Sequence, residues 1–412
     1  MKFVNLAVFA ATAALAAPQE GTQQDGPEDG PEAGSKRALY FLDSNPNNAS
    51  IVSILIGEDG LLQGVNASGG AVRTPTGGIG GIGIDSNGTA VGADPLFSQD
   101  SVVVKGNRLF TVNAGSNTLS YFHITPTDPL NPKPMGEPVS TGGEFPNSVA
   151  YSEENQLACV ANTGKKAGVQ CFHVPDCGPL EPRGSFMELP MINQTSPPTI
   201  SGTTVSDIVF NPSGTALFVS IKGAGMSMGY LYAYPVKKDK LEAAVEKAEL
   251  EAAVESRPEG LRRAFSLSFL SDEAAVITDP TYGASLLSID STFSVSIAKN
   301  VTIPGQRATC WSVYSAEFKS VYVFDGMSPN VTALEPTGDI KAVIPGEPRG
   351  MGSFDAAVDR SWLYVLQGSP AIAVFDLKAS EPKDAMSGVA QYLDLASLGK
   401  RSSWIGMAVY GS

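Results

Sequence analysis

One short apolar run, closed by a polar turn, recurs seven times along this 412-residue chain. It reads LYFLDSN from Leu39, LFTVNAG from Leu109, LACVANT from Leu157 and LFVSIKG from Leu217. It continues as AVITDPT from Ala275, VYVFDGM from Val321 and LYVLQGS from Leu363. Successive starts lie 70, 48, 60, 58, 46 and 42 residues apart. Repetition at such a period marks an architecture in which one small unit cannot bury its own apolar face and must stack on the next. The shorter spacings hold four strands and their turns. The longer ones leave room for inserted loops.

Companion runs surround each repeat. SVVVKGN from Ser101, DIVFNPSG from Asp207 and WSVYSAEF from Trp311 precede their repeats, and LSYFHIT from Leu119, YLYAYPV from Tyr230 and AIAVFDL from Ala371 follow theirs. Gly, Asn, Asp and Pro fill the turns, as hairpins require. β-branched and aromatic residues dominate the runs, which suits strands buried between two packed sheets. The chain starts its first repeat without a first strand, and it ends on WIGMAVYGS from Trp404, a first strand with nothing after it. Together the two ends complete one blade. The fold predicted is an all-β, seven-bladed β-propeller over residues 38–412, closed by pairing of the C-terminal strand with the N-terminal blade, which removes exposed sheet edges.

The segments outside the repeat indicate compartment. Lys2, an apolar stretch from Phe3 to Leu15 and the small-x-small site Ala14-Leu15-Ala16 make residues 1–16 a signal peptide. Residues 17–37 are rich in Gln, Gly, Pro, Asp and Glu and lack aromatics, so they are expected to be a disordered acidic segment, with the dibasic pair Lys36-Arg37 as a propeptide cleavage site. Asn-x-Ser/Thr sequons at Asn48, Asn66, Asn87, Asn193, Asn300 and Asn330 then mark glycosylation sites on the surface. The expectation is a secreted, extracellular, monomeric glycoprotein. A net charge of −14 speaks against a nucleic-acid partner, and no later apolar run is long enough to cross a membrane.

Cys159, Cys171, Cys177 and Cys310 are too few for a disulfide scaffold, yet an oxidising compartment favours pairing. Cys159 and Cys171 flank a hairpin and can face each other, whereas Cys171 and Cys177 would close a short loop. With no Cys-x-x-Cys and two histidines, no metal and no cofactor are expected. Residues 237–256 are strong helix formers, read either as a short surface helix or as an irregular outer strand. The glycine-rich stretch from Gly77 lacks the helix and Lys-Ser/Thr of a phosphate loop and reads as a long flexible insert between blades one and two.

A propeller's ligands bind where the first strands begin, and the turns joining second to third strands open at that same end. Glu144, Asn147, Asp207, Arg263, Arg307 and Arg349 lead into first strands, while Asn45, Asn113, Asn162, Lys222, Asp279, Asp325 and Gln367 end second strands. From these, Arg263, Arg307 and Lys222 are candidates to polarise a carbonyl, Asp207 or Glu144 to act as base, and Asn147, Asn162 and Arg349 to hold substrate. His123 and His173 fall in third strands, away from the channel, and are packing residues.

The phrases FPNSVAYSEENQLACVANTG from Phe145, TVSDIVFNPSGTALFVSIKG from Thr204 and CWSVYSAEFKSVYVFDG from Cys310 resemble fungal members of the lactonase-type seven-bladed propellers. That group includes phosphogluconolactonase, carboxymuconate lactonizing enzyme and secreted aldonolactonase-like proteins. The resemblance spans the repeat region and implies chemistry on a lactone ring with a small-molecule lactone or carbohydrate as partner. Three functions follow as expectations: an extracellular lactonase for aldonolactones, a non-catalytic propeller serving as antigen, adhesin or effector, and a carboxymuconate cyclase. The absence of a channel histidine departs from the muconate enzymes.

Overall fold

Each repeat folds into a small antiparallel sheet, and seven such sheets stand around one axis as the blades of a propeller. The computed structural model describes residues 36–64, 70–239, 247–379 and 388–411. The leader, the acidic segment as far as Ser35 and the Asn66 sequon lie outside the described residues. From the axis outward, blade 1 is Trp404–Tyr410, Arg37–Asp43, Ser50–Ile56 and Ala71–Pro75. Blade 2 is Val102–Lys105, Arg108–Asn113, Thr118–Thr125 and Asp128–Pro134; blade 3 is Pro146–Ser152, Leu157–Asn162, Gly168–His173 and Glu181–Glu188. Blade 4 holds Thr204–Phe210, Ala216–Lys222 and Tyr230–Asp239, with Lys247–Leu250 and Val254–Ser256 both pairing on its outer edge. Blade 5 is Leu267–Ser271, Ala274–Asp279, Gly283–Ile289 and Val295–Thr302; blade 6 is Thr309–Ser315, Ser320–Asp325, Ser328–Leu334 and Ile340–Ile344. Blade 7 is Ser353–Asp359, Trp362–Gln367, Ala371–Asp376 and Val389–Asp394.

The apolar runs that marked the repeat are the second strands. Every residue of Leu157–Asn162 and of Ala216–Lys222 is buried, because a neighbouring blade covers each face of the sheet. A strand covered on both faces needs apolar residues at consecutive positions, so it reads as a continuous run and not as an alternation. The helix-forming stretch after Lys237 holds no helix among the described residues and is mostly strand: Lys237 lies opposite Glu249 and Lys238 opposite Ala248. Edge pairing outweighs helix propensity there, and residues 240–246 lie outside the described residues.

Ring closure follows the expected split blade. Ala38 pairs with Tyr410, Leu39 with Val409 and Asp43 with Trp404. Arg37 begins the second strand of blade 1 opposite Ile56, and its guanidinium forms a 2.5 Å ion pair with Asp359 of blade 7. Tyr410 Oη donates to Asn107 Oδ1 of blade 2 at 3.0 Å, so the last strand is tied on its other side as well.

Cys159 and Cys171 stand directly opposite each other in blade 3 and form a disulfide, while Cys177 and Cys310 are free. The bond closes a short ring of chain, with a sequence separation of 12. Replacing both cysteines by alanine is expected to lower unfolding free energy by about 2–3 kcal/mol, through a freer unfolded chain. A urea midpoint that does not move in the double variant would refute this.

Candidate functional site

Antiparallel alternation puts the turns leading into inner strands and the turns joining second to third strands at one end of the ring, its upper face. The polar residues closing the second strands hold these turns in place. Asp279 Oδ2 accepts the backbone N–H of Arg262 at 2.7 Å and of Arg263 at 2.8 Å. Asp325 does the same for Arg307 at 2.6 Å and Ala308 at 3.0 Å. Asn162 is fully buried, accepts from Thr141 Oγ1 at 2.6 Å and donates to Gly168 O at 3.2 Å. Carboxylates and amides at these positions satisfy buried backbone groups that would otherwise be orphaned.

The glycine-rich insert is packed across this face as a strap. Gly80 N–H donates to Asn45 O at 3.1 Å, Ser44 Oγ to Gly81 O at 2.9 Å, and Ile84 N–H to Pro198 O at 2.9 Å. Its glycines are needed for close approach: a Cβ on Gly80 would lie 2.1 Å from the Ser44 carbonyl carbon, and one on Gly83 would lie 2.3 Å from the Phe97 ring.

Beyond the strap, residues 95–101 turn down and plug the channel. Gln99 lies across the axis. Its amide donates to Ser312 O at 2.9 Å and accepts from Ser312 N at 3.0 Å in blade 6, while its backbone N–H donates to Ser206 O at 2.9 Å in blade 4. Ser98 Oγ donates to Asn147 O at 2.7 Å in blade 3, Trp311 Nε1 donates to Ser98 O at 3.1 Å, and Asn147 Nδ2 donates to Val205 O at 2.7 Å and Leu96 O at 3.3 Å. Truncating Gln99 to alanine strands both Ser312 backbone groups and is expected to cost about 1–3 kcal/mol. Thermal denaturation checks this, and an unchanged midpoint would show that the plug is held by its other bonds.

A knot of charge sits where the plug meets the upper face. Asp94 starts the plug by accepting the Phe97 N–H at 3.0 Å. Burial pushes the Asp94 carboxyl up to about 6, against the pull of Lys222 and then Arg401. Burial lowers Lys222, whose ammonium lies 5.2 Å from the Phe97 ring centre and 5.9 Å from that of Phe265. Arg401 is lowered to about 9 by burial, packs 4.9 Å over Phe354, and donates to Ala93 O at 3.1 Å and Trp404 O at 2.7 Å. Its Nη2 is buried with no partner among the described residues. Phe265, Trp311 and Phe354 pack in series, with centroids 5.2 and 4.7 Å apart. Cys310 adjoins Lys222 and Asp94, but burial raises its thiol well above the usual range, so it is a poor nucleophile. Arg263 reaches back to Gly223 O and feels Lys222.

The other expected site residues are dispersed. Arg307 and Arg349 are exposed, and Arg349 pairs with Glu347 at 2.9 Å and stacks 4.8 Å over Tyr392. Half-buried Glu144 accepts from Ser196 Oγ at 2.6 Å. Asp207 lies inside the channel, 1 % exposed, accepts the Leu267 N–H at 2.9 Å and shares a hydrogen bond with Asp100. Burial, with Asp100 and Asp355 beside it, holds Asp207 well above the usual carboxylate range. Asp94, Asp100 and Arg401 were not foreseen. A signal for Arg401 existed: it stands three residues before an inner strand, much as Arg263, Arg307 and Arg349 do.

Two clefts open elsewhere. One of about 710 Å³ lies on the upper face of blade 1 between Asn45, Asn48, Arg73 and Lys400; the other, of about 440 Å³, opens at the lower end between Tyr151, Phe210 and Asp100. Among the described residues no group of three or more His, Cys, Asp or Glu is arranged to hold a metal, and no helix is long and apolar enough to cross a membrane.

No family model matches the chain, and no curated protein matches its sequence. Solved structures do share its fold. A periplasmic gluconolactonase of Pseudomonas aeruginosa is similar with a TM-score of 0.62 at 14% identity, covering 91% of this chain and 98% of the other. A candidate 6-phosphogluconolactonase of Bacteroides fragilis gives 0.61 at 12% identity, covering 93% and 100%. A Lactobacillus plantarum protein gives 0.59 at 13% identity, covering 91% and 99%. At these identities the likeness establishes the propeller and leaves the chemistry to the site.

Proposed function

We propose that the chain is a secreted lactonase that opens the ring of a small sugar lactone, with the channel mouth as its site. The observation that carries this reading is the Asp94 carboxyl, poised near pH 6 between Lys222 and Arg401. Water adds to the ring carbonyl carbon and Asp94 accepts the proton it sheds. Lys222 and Arg263 stabilise the oxyanion, aided by the free Nη2 of Arg401. The carbonyl re-forms as the ring C–O bond breaks, and the leaving alkoxide takes the proton back, giving a hydroxy acid. The buried series from Phe265 to Phe354 packs beneath the cations, Lys222 against Phe265 and Arg401 over Phe354, and fixes where they stand. The gluconolactonase among the fold neighbours supports the choice of substrate class.

The test is ring opening of glucono- and cellobionolactone by purified protein, measured against the spontaneous rate. Acceleration lost in Lys222→Met and Arg263→Ala supports the assignment. No acceleration by the wild type refutes catalysis on these lactones and favours the non-catalytic binder, whereas turnover of carboxymuconate would establish the cyclase.

A further inference from the structure

Every sequon asparagine among the described residues stands toward the upper end of the ring. Asn48 lies in the turn between the second and third strands of blade 1, Asn87 in the strap, and Asn193 in the segment leading to blade 4. Asn300 is two residues from the upper end of the outer strand of blade 5, and Asn330 is the third residue from the upper end of the third strand of blade 6. All five are exposed. Asn300 accepts from Ser285 Oγ at 2.8 Å and Asn330 from Gly346 N at 3.2 Å, each through Oδ1. In neither does Nδ2, the atom that takes a sugar, donate to another group among the described residues.

A second asymmetry coincides with the first. Of the exposed large apolar side chains among the described residues, Ile79, Met191, Ile200, Met226, Met228, Met327 and Met351 belong to the strap, to linkers or to turns of this same face, with Met226 99% exposed, while Ile340 and Val343 lie on the outer strand of blade 6. Apolar side chains gathered on one face of a protein released into water invite association unless something bulky and polar stands among them. Carbohydrate on the five asparagines supplies that cover. The sites are spread over blades 1, 5 and 6, the strap and the approach to blade 4, so they surround the channel mouth.

We infer that N-linked glycans form a collar around the upper face that admits small solutes to the channel mouth and bars macromolecules. The inference rests on the secretory part of the proposed function and narrows its substrate to free small lactones, excluding lactone ends of polymers.

Accessibility can be read without any catalysis. The protein would be made in a glycosylating, secreting host, and occupancy at the five asparagines measured by peptide mass spectrometry. M226C would then be labelled with N-ethylmaleimide and with a large polyethylene-glycol maleimide. Exposed Cys177, in the lower turn between the third and outer strands of blade 3, serves as the internal reference. The expected result is occupied sites, similar labelling of both thiols by the small reagent, and labelling at position 226 by the large reagent slower by about tenfold or more. Removal of the glycans should abolish that difference. Empty sites, or a large-reagent ratio that glycan removal leaves unchanged, would overturn the collar. Loss of lactonase activity alone bears only on the catalytic reading, because labelling does not depend on turnover.

Discussion

Asp94→Asn is expected to lower kcat/KM for aldonolactone opening by about 10²–10⁴-fold, the usual contribution of a positioned general base. Asparagine keeps the shape of the side chain and an oxygen to accept the Phe97 N–H, so the start of the plug survives. What it loses is the ability to take a proton from water. The wild-type profile should rise with pH through about 6, where Asp94 ionises, and the variant should lack that limb. Lys222 fixes the other side: burial lowers its ammonium, so stabilisation of the oxyanion should fade toward alkaline pH. A variant that folds with the wild-type urea midpoint yet keeps both its rate and its acidic limb would exclude Asp94 as the base.

Thermal stability is expected to fall as pH rises from about 4 to about 7. Three carboxyls, Asp100, Asp207 and Asp355, meet inside the channel. Burial pushes Asp100 up to about 7 from an ordinary value of 3.8, and Asp207 and Asp355 are each raised by burial first and then by the charge of Asp100. A group whose pKa is higher in the folded state keeps its proton there while the unfolded chain has already lost it. Its contribution is fully present below 3.8 and is lost as pH climbs through the folded value, which for Asp100 lies near 7. Asp94 acts in the same direction up to about 6, while Arg401 faces Asp355 and draws it down. The total is on the order of a few kcal/mol. Asp207→Asn removes one titration and one source of repulsion, so its melting temperature should vary less with pH, and Asp94→Asn separates the mouth from the channel. Identical pH slopes in Asp207→Asn and wild type would exclude the carboxyl trio as the cause.

The ring was legible because its second strands are buried on both faces. That burial forces uninterrupted apolar runs such as LACVAN, and their spacing counts the blades. Closure was legible because the repeat is out of phase by one strand at the two ends. The plug was not legible, since its bonds join Gln99 to Ser312, 213 residues away, and nothing local marks a glutamine for that partner. Lys222 and Arg263 were found at the site because they terminate and precede strands of the repeat. Asp94 was missed because it lies in the insert that the repeat does not cover. Its place at the entry to an inner strand makes Asp207 a candidate base at the mouth, yet it lies inside the channel beside Asp100, next to a register shift between Val205 and Asp207. The two readings of the segment after Lys237 differed in which partner was assumed, solvent or a neighbouring edge, and the edge of Tyr230–Asp239 decides for strand.

Arg37 sets an order of events in the life of the chain. Once the ring has closed, its backbone is laddered to Ile56 and its guanidinium neutralises the buried carboxylate of Asp359. A convertase cutting behind the Lys36-Arg37 pair would take that cation away with the departing segment and leave the Asp359 carboxylate with only its longer, 3.9 Å ion pair to Arg360, a destabilising change. The same pairing withholds the bond from a protease that needs an extended, unpaired substrate. Were the chain processed at this pair, trimming would compete with ring closure, and the faster of the two would fix whether the acidic segment stays attached.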